Sequence, residues 1–234
     1  VTLDEARQEI ADASRILAAN KILDAFGHVS RRAPGRPTHF LIPRSVAPAQ
    51  VTPADVVELR LDGTSAEGGD VRLFLERFIH SEIYRVRPDV HAIVHSHAMA
   101  VIPFTVVPGI SVRPICHMCG FLRGTPAPFD IADYAGQGSD LLIRDAALGK
   151  ALAAHLAEAA LVLMRGHGFT AVGNGVPQAT YRAIYTSKNC EIQSAAMKLG
   201  QPIYLSDAEA VACERTLDGQ IDRAWSLWRS ELIG

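Results

Sequence analysis

The chain has 234 residues, 48% of them hydrophobic and 21% charged, and a net charge of −2 at pH 7. That length supports one well-covered domain without requiring two, and the composition is that of a globular protein. The small charge and the lack of any basic block argue against nucleic acid or an anionic membrane as partner, and no apolar run reaches the roughly 18–20 residues of a membrane span.

The N-terminal stretch VTLDEARQEI is acidic and amphipathic, unlike a signal peptide, so a soluble cytoplasmic protein is expected. Thr2 and Glu5 form a capping-box pattern, and Leu3, Ala6, Ile10, Ala13 and Leu17 keep helical spacing to about Asn20. Gly27 breaks that pattern in FGHVSRR. THFLIPR and VVELRLDG read as short strands separated by a proline-bearing loop. The spacing predicts a helix over 71–87, stopped by Pro88, then a strand over 90–95 and a candidate strand at ISVRPI. Residues 120–140, rich in Gly and Pro, read as loops. RDAALGKALAAHLAE has a helical pattern, and ALVLMRG reads as a buried strand that pairs with FTAVG as a hairpin across the intervening His-Gly. Two long helices, 176–199 and 206–232, close the chain. With no repeat, low-complexity tract or linker, residues 1–234 read as a single α/β domain.

The four cysteines are Cys116, Cys119, Cys190 and Cys213. CHMC is formally a C-x-x-C pair, which can mean redox chemistry or half a zinc site. No second pair accompanies it, so the four are read as reduced thiols that pack as small hydrophobes.

The histidines carry more information. His95 and His97 stand two apart at the end of a buried strand, where positions i and i+2 share a face. His167 lies between Gly166 and Gly168 just after another buried strand, and glycines there allow a sharp bend and a close approach. Three imidazoles with an open position form a common catalytic site for Zn²⁺, and imidazole also suits Mn²⁺, Fe²⁺ or Co²⁺. The competing reading is three histidines satisfied separately by hydrogen bonds. On the helix expected over 71–87, Glu76 and His80 fall at i and i+4 on one half-buried face. A buried carboxylate is costly unless paired or metal-bound; a Glu76 pair with His80 or Arg72 is the alternative.

In order and spacing, ERFIH (76–80), RPDVHAIVHSHAMAV (87–101) and GHG (166–168) resemble the class II aldolase/adducin-like family. The resemblance implies a three-layer α/β/α sandwich around a largely antiparallel sheet, and a homotetramer with sites between subunits. It also implies one divalent cation, Mn²⁺ or Zn²⁺, on His95, His97 and His167, with Glu76 beside it as acid/base or further ligand. Residues lent by a neighbouring subunit, with the terminal RAWSLWRSELIG as a candidate source, cannot be assigned from sequence.

Departures from the sugar-phosphate members of that family bear on the reaction. Their G-N-x-S segment is GHVS here, with His28 in the asparagine's place, and their T-P-x-G segment is IPRS, with Arg44 and Ser45. A pair of serines before the glutamate is replaced by Phe74 and Leu75, which cannot donate to phosphate oxygens. Met118 stands where the aldolases have a tyrosine, and Arg165 precedes the Gly-His-Gly. Arg44 offers a fork for a carboxylate, and Phe74 a face for a ring.

The pattern is therefore similar to the decarboxylase branch of the family. That likeness implies a hydroxylated aromatic or pyridine acid as substrate, with 3-hydroxy-2-methylpyridine-4,5-dicarboxylate from vitamin B6 breakdown as the first candidate and dihydroxybenzoates as competitors. Glu76 and His117 are the candidate catalytic groups, and His28, Arg44, Ser45, Phe74 and Arg165 the candidate substrate contacts. Each has a plainer reading: His28 orders its loop, Arg44 pairs with an acid such as Glu58, His117 sits in a core or interface, and Arg165 braces its turn. His80 and His91 read as structural. Two other functions compete: an aldolase or epimerase acting on an unphosphorylated hydroxy-keto acid, and a non-catalytic adducin-like assembly module.

Overall fold

Thr2 begins helix α1 (Leu3–Ala19) with the expected reciprocal capping box to Glu5, in a computed structural model that describes residues 1–232. Six strands follow in chain order: β1 (His28–Ala33), β2 (Arg36–Pro43), β3 (Val56–Arg60), β4 (Ala92–Ser96), β5 (Leu161–Met164) and β6 (Gly168–Gly173). They form one sheet in the order β3-β2-β1-β4-β6-β5, every neighbour antiparallel. The other helices are α2 (Arg77–Val86), α3 (Pro103–Val106), α4 (Ala132–Ala135), α5 (Ala146–Leu156), α6 (Val176–Leu199), α7 (Asp207–Asp218) and α8 (Ile221–Glu231).

The sheet is covered on both sides, and the strands' period of two divides their residues between two cores. Val94, Leu161 and Leu163 join residues of α1, α6 and α8 in one core. Ile93, Val162 and Met164 join residues of α2 and α5 in the other. The architecture is the expected three-layer sandwich. No helix of the described residues is long and apolar enough to cross a membrane.

Five expectations about elements change. Residues 120–140, expected as loops, include α4 and the end of a 3₁₀ segment over His117–Leu122. FGHVSRR contains the central strand β1, entered through a turn at Gly27, whose φ is +86° and whose Cβ would lie 2.8 Å from the His95 carbonyl. Its arginines are answered by distant partners: Arg31 pairs with Glu9, and Arg32 donates to the carbonyls of Tyr84, Arg87 and Val90. The helix expected from residue 71 begins only at Arg77. Before it, the Ser45 N–H holds the Arg72 carbonyl and the Arg77 guanidinium holds that of Phe74, so these groups are satisfied without helical bonds. ISVRPI is extended but unpaired with any strand, because Asn189 and Gln193 of α6 bond to its backbone at Ser111, Arg113 and Ile115. The helix expected over 206–232 is two helices broken at Gly219 and Gln220. Ile233 and Gly234, at the end of RAWSLWRSELIG, lie outside the described residues.

Helices α2 and α5 touch closely at Gly149, where an added Cβ would lie 2.5 Å from the Phe78 carbonyl oxygen. Alanine in a helix interior is worth about 1 kcal/mol over glycine, but forcing two helices apart costs about 1–3 kcal/mol. Gly149→Ala is therefore expected to lower stability by up to about 2 kcal/mol, read as a lower urea midpoint, despite the better helix former.

Candidate metal centre and its cavity

His95, at the end of β4, has no exposed surface. Register places His28 of β1 opposite it on one side and Thr170 of β6 opposite it on the other, so three polar side chains lie in a row on the α2 face of the sheet. His97 follows two residues later on the same face. His167 arrives from the turn between β5 and β6. Gly166 there has φ +63°, a conformation costly for other residues. A Cβ on Gly168 would lie 2.1 Å from the Ser96 carbonyl oxygen, so only glycine lets this hairpin press against the end of β4. Glu76, the residue before α2, completes the group.

Glu76, His95, His97 and His167 each offer a ligand atom within 4.8 Å of the others. The three Nε2 atoms stand 2.9–3.2 Å apart, and Glu76 Oε2 lies 3.4 Å from that of His95 and 3.3 Å from that of His167. Surrounding groups aim these atoms. The Nδ1–H of His167 donates to the Leu141 carbonyl at 2.6 Å, which leaves its Nε2 as an acceptor. His95 Nδ1 meets the Thr170 hydroxyl at 3.1 Å, while the Thr170 proton points to the Met164 sulfur, so the Nε2 of His95 is an acceptor as well. The Ile143 N–H donates to Glu76 Oε1 at 3.0 Å, freeing Oε2 for the cluster. One loop, through Leu141 and Ile143, thus orients two of the four groups. Leu141 adopts φ +64° to do so, a strained conformation for a residue with a side chain.

The charges follow from this packing. Burial presses His95 below the ordinary imidazole range, and burial with two neighbouring imidazoles presses His97 to about 3. Burial acts downward on His167 too, but the Glu76 carboxylate and the Leu141 carbonyl outweigh it and raise its pKa. Burial favours the neutral form of Glu76, yet the imidazoles of His95 and His167 hold its carboxyl well below the usual range. Lone pairs converging beside a carboxylate call for positive charge between them. Three imidazoles and a carboxylate aimed at one point are a donor set that fits a divalent cation.

Beside this cluster opens a cavity of about 640 Å³ whose lining includes Phe26, His28, Ser45, Phe74, Glu76 and His97. Of the expected substrate contacts, His28, Ser45 and Phe74 are therefore brought to the site, with Leu75 beside them. Three expected residues are not. Arg44 is paired with Asp55 at 2.6 Å, rather than with Glu58, which Arg36 holds, and it is absent from the lining. Arg165 is bound to Asp130 at 2.5 Å and braces its turn. His117 is exposed at the start of a 3₁₀ segment and absent from the lining. The cation that does reach the cavity is Arg72, exposed and outside every ion pair found among the described residues. Spacing cannot separate Arg44 from Arg72, because the difference lies in a partner eleven positions away. Thr170 and Leu141 were also hidden: one depends on strand register, the other on a backbone carbonyl.

A profile of the class II aldolase and adducin N-terminal domain matches residues 8–194. The decarboxylase tropJ of Talaromyces stipitatus is 38% identical over 93% of this chain and 90% of its own. The 3,4-dihydroxyphthalate decarboxylase of Rhodococcus jostii is 28% identical over 85% of this chain and 83% of its own. Among solved structures, an aldolase II superfamily protein from Pseudomonas syringae superposes with a TM-score of 0.80 at 23% identity, covering 98% of this chain and 92% of its own, which bears on the fold.

A metal and a proton compete for the Nε2 of His167. Its raised pKa makes it the first of the three imidazoles to protonate as pH falls, while His97 stays neutral to about 3. Affinity for Mn²⁺ or Zn²⁺, measured by chelator competition, is expected to be level above the His167 pKa and to fall about tenfold per pH unit just below it, one proton per metal.

Proposed function

The chain belongs to the class II aldolase and adducin family, and on that premise we propose that it is a divalent-metal-dependent decarboxylase of hydroxylated aromatic or pyridine carboxylic acids. The observation that carries the reading is the convergence of Glu76, His95, His97 and His167 beside a cavity that offers a ring face at Phe74 and an uncommitted cation at Arg72. Two relatives with decarboxylase names support it. An assembly module would have no need to keep three histidines and a glutamate aimed at one point.

Decarboxylation breaks a C–C bond and leaves its electron pair on the ring, so it needs an electron sink and then a proton. When bound, a divalent cation supplies the sink as a Lewis acid. The residues divide the other tasks. His95, His97, His167 and Glu76 would hold the ion. Glu76 is kept ionised by its imidazole neighbours, which suits it to holding a cation rather than to giving up a proton. The Phe74 ring packs against that of His28, with centroids 4.6 Å apart, and both line the cavity, so a flat substrate would lie against this pair from one side. Arg72 and Ser45 would bind a second carboxylate, the task expected of Arg44.

Imidazole and carboxylate ligands suit Mn²⁺ or Zn²⁺, and we propose one such ion per subunit. The substrate we propose is 3-hydroxy-2-methylpyridine-4,5-dicarboxylate. It shares with the 3,4-dihydroxyphthalate named for the Rhodococcus relative a carboxylate flanked by a hydroxyl and by a second carboxylate. A homotetramer with sites between subunits belongs to the same proposal, and in it the exposed His117 would serve a cavity on another copy.

Release of CO₂ from both acids, with Mn²⁺ and with excess chelator, tests the reaction. Release that chelation abolishes is the expected result; no release from either acid by metal-loaded protein would overturn the reading. Arg72→Ala is expected to remove a charge-assisted bond worth about 1.5–3 kcal/mol. That raises KM about 10–100-fold for these dicarboxylates and leaves KM for 2,3-dihydroxybenzoate nearly unchanged.

A further inference from the structure

Behind the cavity wall runs a chain of buried polar groups that holding a cation does not require. His28 Nδ1 lies 2.6 Å from His80 Nε2, His80 Nδ1 lies 2.6 Å from the Ser30 hydroxyl, and that hydroxyl lies 2.8 Å from the Tyr84 hydroxyl. None of the four residues is more than 4% exposed. Their alignment follows from two periods meeting: His28 and Ser30 are i and i+2 on β1, and His80 and Tyr84 are i and i+4 on α2.

Protons can be ordered along this chain in two ways. In one, Tyr84 donates to Ser30, Ser30 donates to His80 Nδ1, and His80 Nε2–H donates to His28 Nδ1. Every proton then has an acceptor, and His28 carries its own proton on Nε2. In the other, both histidine bonds reverse, His28 is protonated on Nδ1, and the Ser30 oxygen accepts from His80. Whichever of Ser30 and Tyr84 then donates to the other, one of their two hydroxyl protons has no acceptor among the described residues. A buried donor left unsatisfied disfavours that order by roughly tenfold or more. Adding a proton to make His28 or His80 a buried cation is costlier still, and burial with the neighbouring His95 imidazole outweighs Glu76 and pushes His80 to about 3.

We infer that His28 is a substrate-binding donor, held as the Nε2–H tautomer by Tyr84 acting through Ser30 and His80. His28 lines the cavity, and its Nε2 is the ring nitrogen without a protein partner. A neutral N–H at that point donates to the anionic oxygen of a carboxylate or ring hydroxylate; a lone pair there would repel it. The choice of substrate oxygen rests on the decarboxylase reading, whereas the tautomer does not. Ser30, His80 and Tyr84 are positioning residues, because they reach the substrate only through His28.

The test reads the tautomer directly, by two-bond ¹H–¹⁵N correlation of side-chain histidines in ¹⁵N-labelled, metal-free protein without substrate. A protonated Nε2 and a bare Nδ1 on His28 are expected; a protonated Nδ1, or an even mixture, would overturn the inference whether or not the protein releases CO₂. His80→Phe should allow both tautomers. For any acid the protein decarboxylates, it should raise KM about tenfold with a smaller change in kcat and no change in metal affinity. His80→Gln, whose amide can accept from Ser30 and donate to His28, should restore both the tautomer and KM. An Nε2–H signal unchanged in His80→Phe would remove Tyr84, Ser30 and His80 from the account. The wild-type spectrum decides the tautomer even if a variant fails to fold.

Discussion

The pairing of β4 between β1 and β6 is the constraint on which the site depends. Its register sets His28, His95 and Thr170 side by side, and the same face carries Ser30 opposite Ile93 and, two residues beyond His95, His97. A slip of one residue in either pairing would turn half of this row into the opposite core. Apolar alternation guards against that: Ile93 and Val94 are each fully buried, one in each core. Hydrophobic burial therefore sets the position of polar groups that contribute little to stability themselves.

What the register brings together, electrostatics leaves incomplete. Three imidazoles and a carboxylate have been largely taken out of water, and the other polar atoms of His167, His95 and Glu76 are bound to Leu141, Thr170 and Ile143. The nitrogen and oxygen atoms that remain point at one another. Without an ion, the nearest available positive charge is a proton, which is why His167 holds one more firmly than an ordinary histidine while its neighbours hold theirs less. The left-handed conformation of Leu141 belongs to the same arrangement, since its carbonyl fixes the tautomer of His167. Backbone strain at such a point is expected where surrounding packing dictates the geometry.

The convergence of the histidines was legible in the sequence because its signals are local. Strand periodicity pairs His95 with His97, and two glycines mark the turn at His167. The lining of the cavity was legible only in part. Phe74, Ser45 and His28 line the cavity as expected, but Arg44, Arg165 and His117 do not. For the two arginines the reason is the same: each meets an acid, Asp55 or Asp130, whose position is set by folding rather than by spacing. Strand β1 went unread beyond the break at Gly27, and the partners of its arginines, Glu9 for Arg31 and three carbonyls for Arg32, are set by folding and not by spacing. Helix α2 was read too long because nothing local announces that Ser45 and Arg77 will bind the carbonyls of the preceding loop.

The claim on which the account rests is that four side chains hold one divalent ion. Crystals grown with Mn²⁺ and measured near its absorption edge test it directly. A single strong anomalous peak at bonding distance from the Nε2 atoms of His95, His97 and His167 and from Glu76 Oε2 is the expected result. An empty site at saturating Mn²⁺, or a peak elsewhere with the three histidines bonded separately, would contradict it.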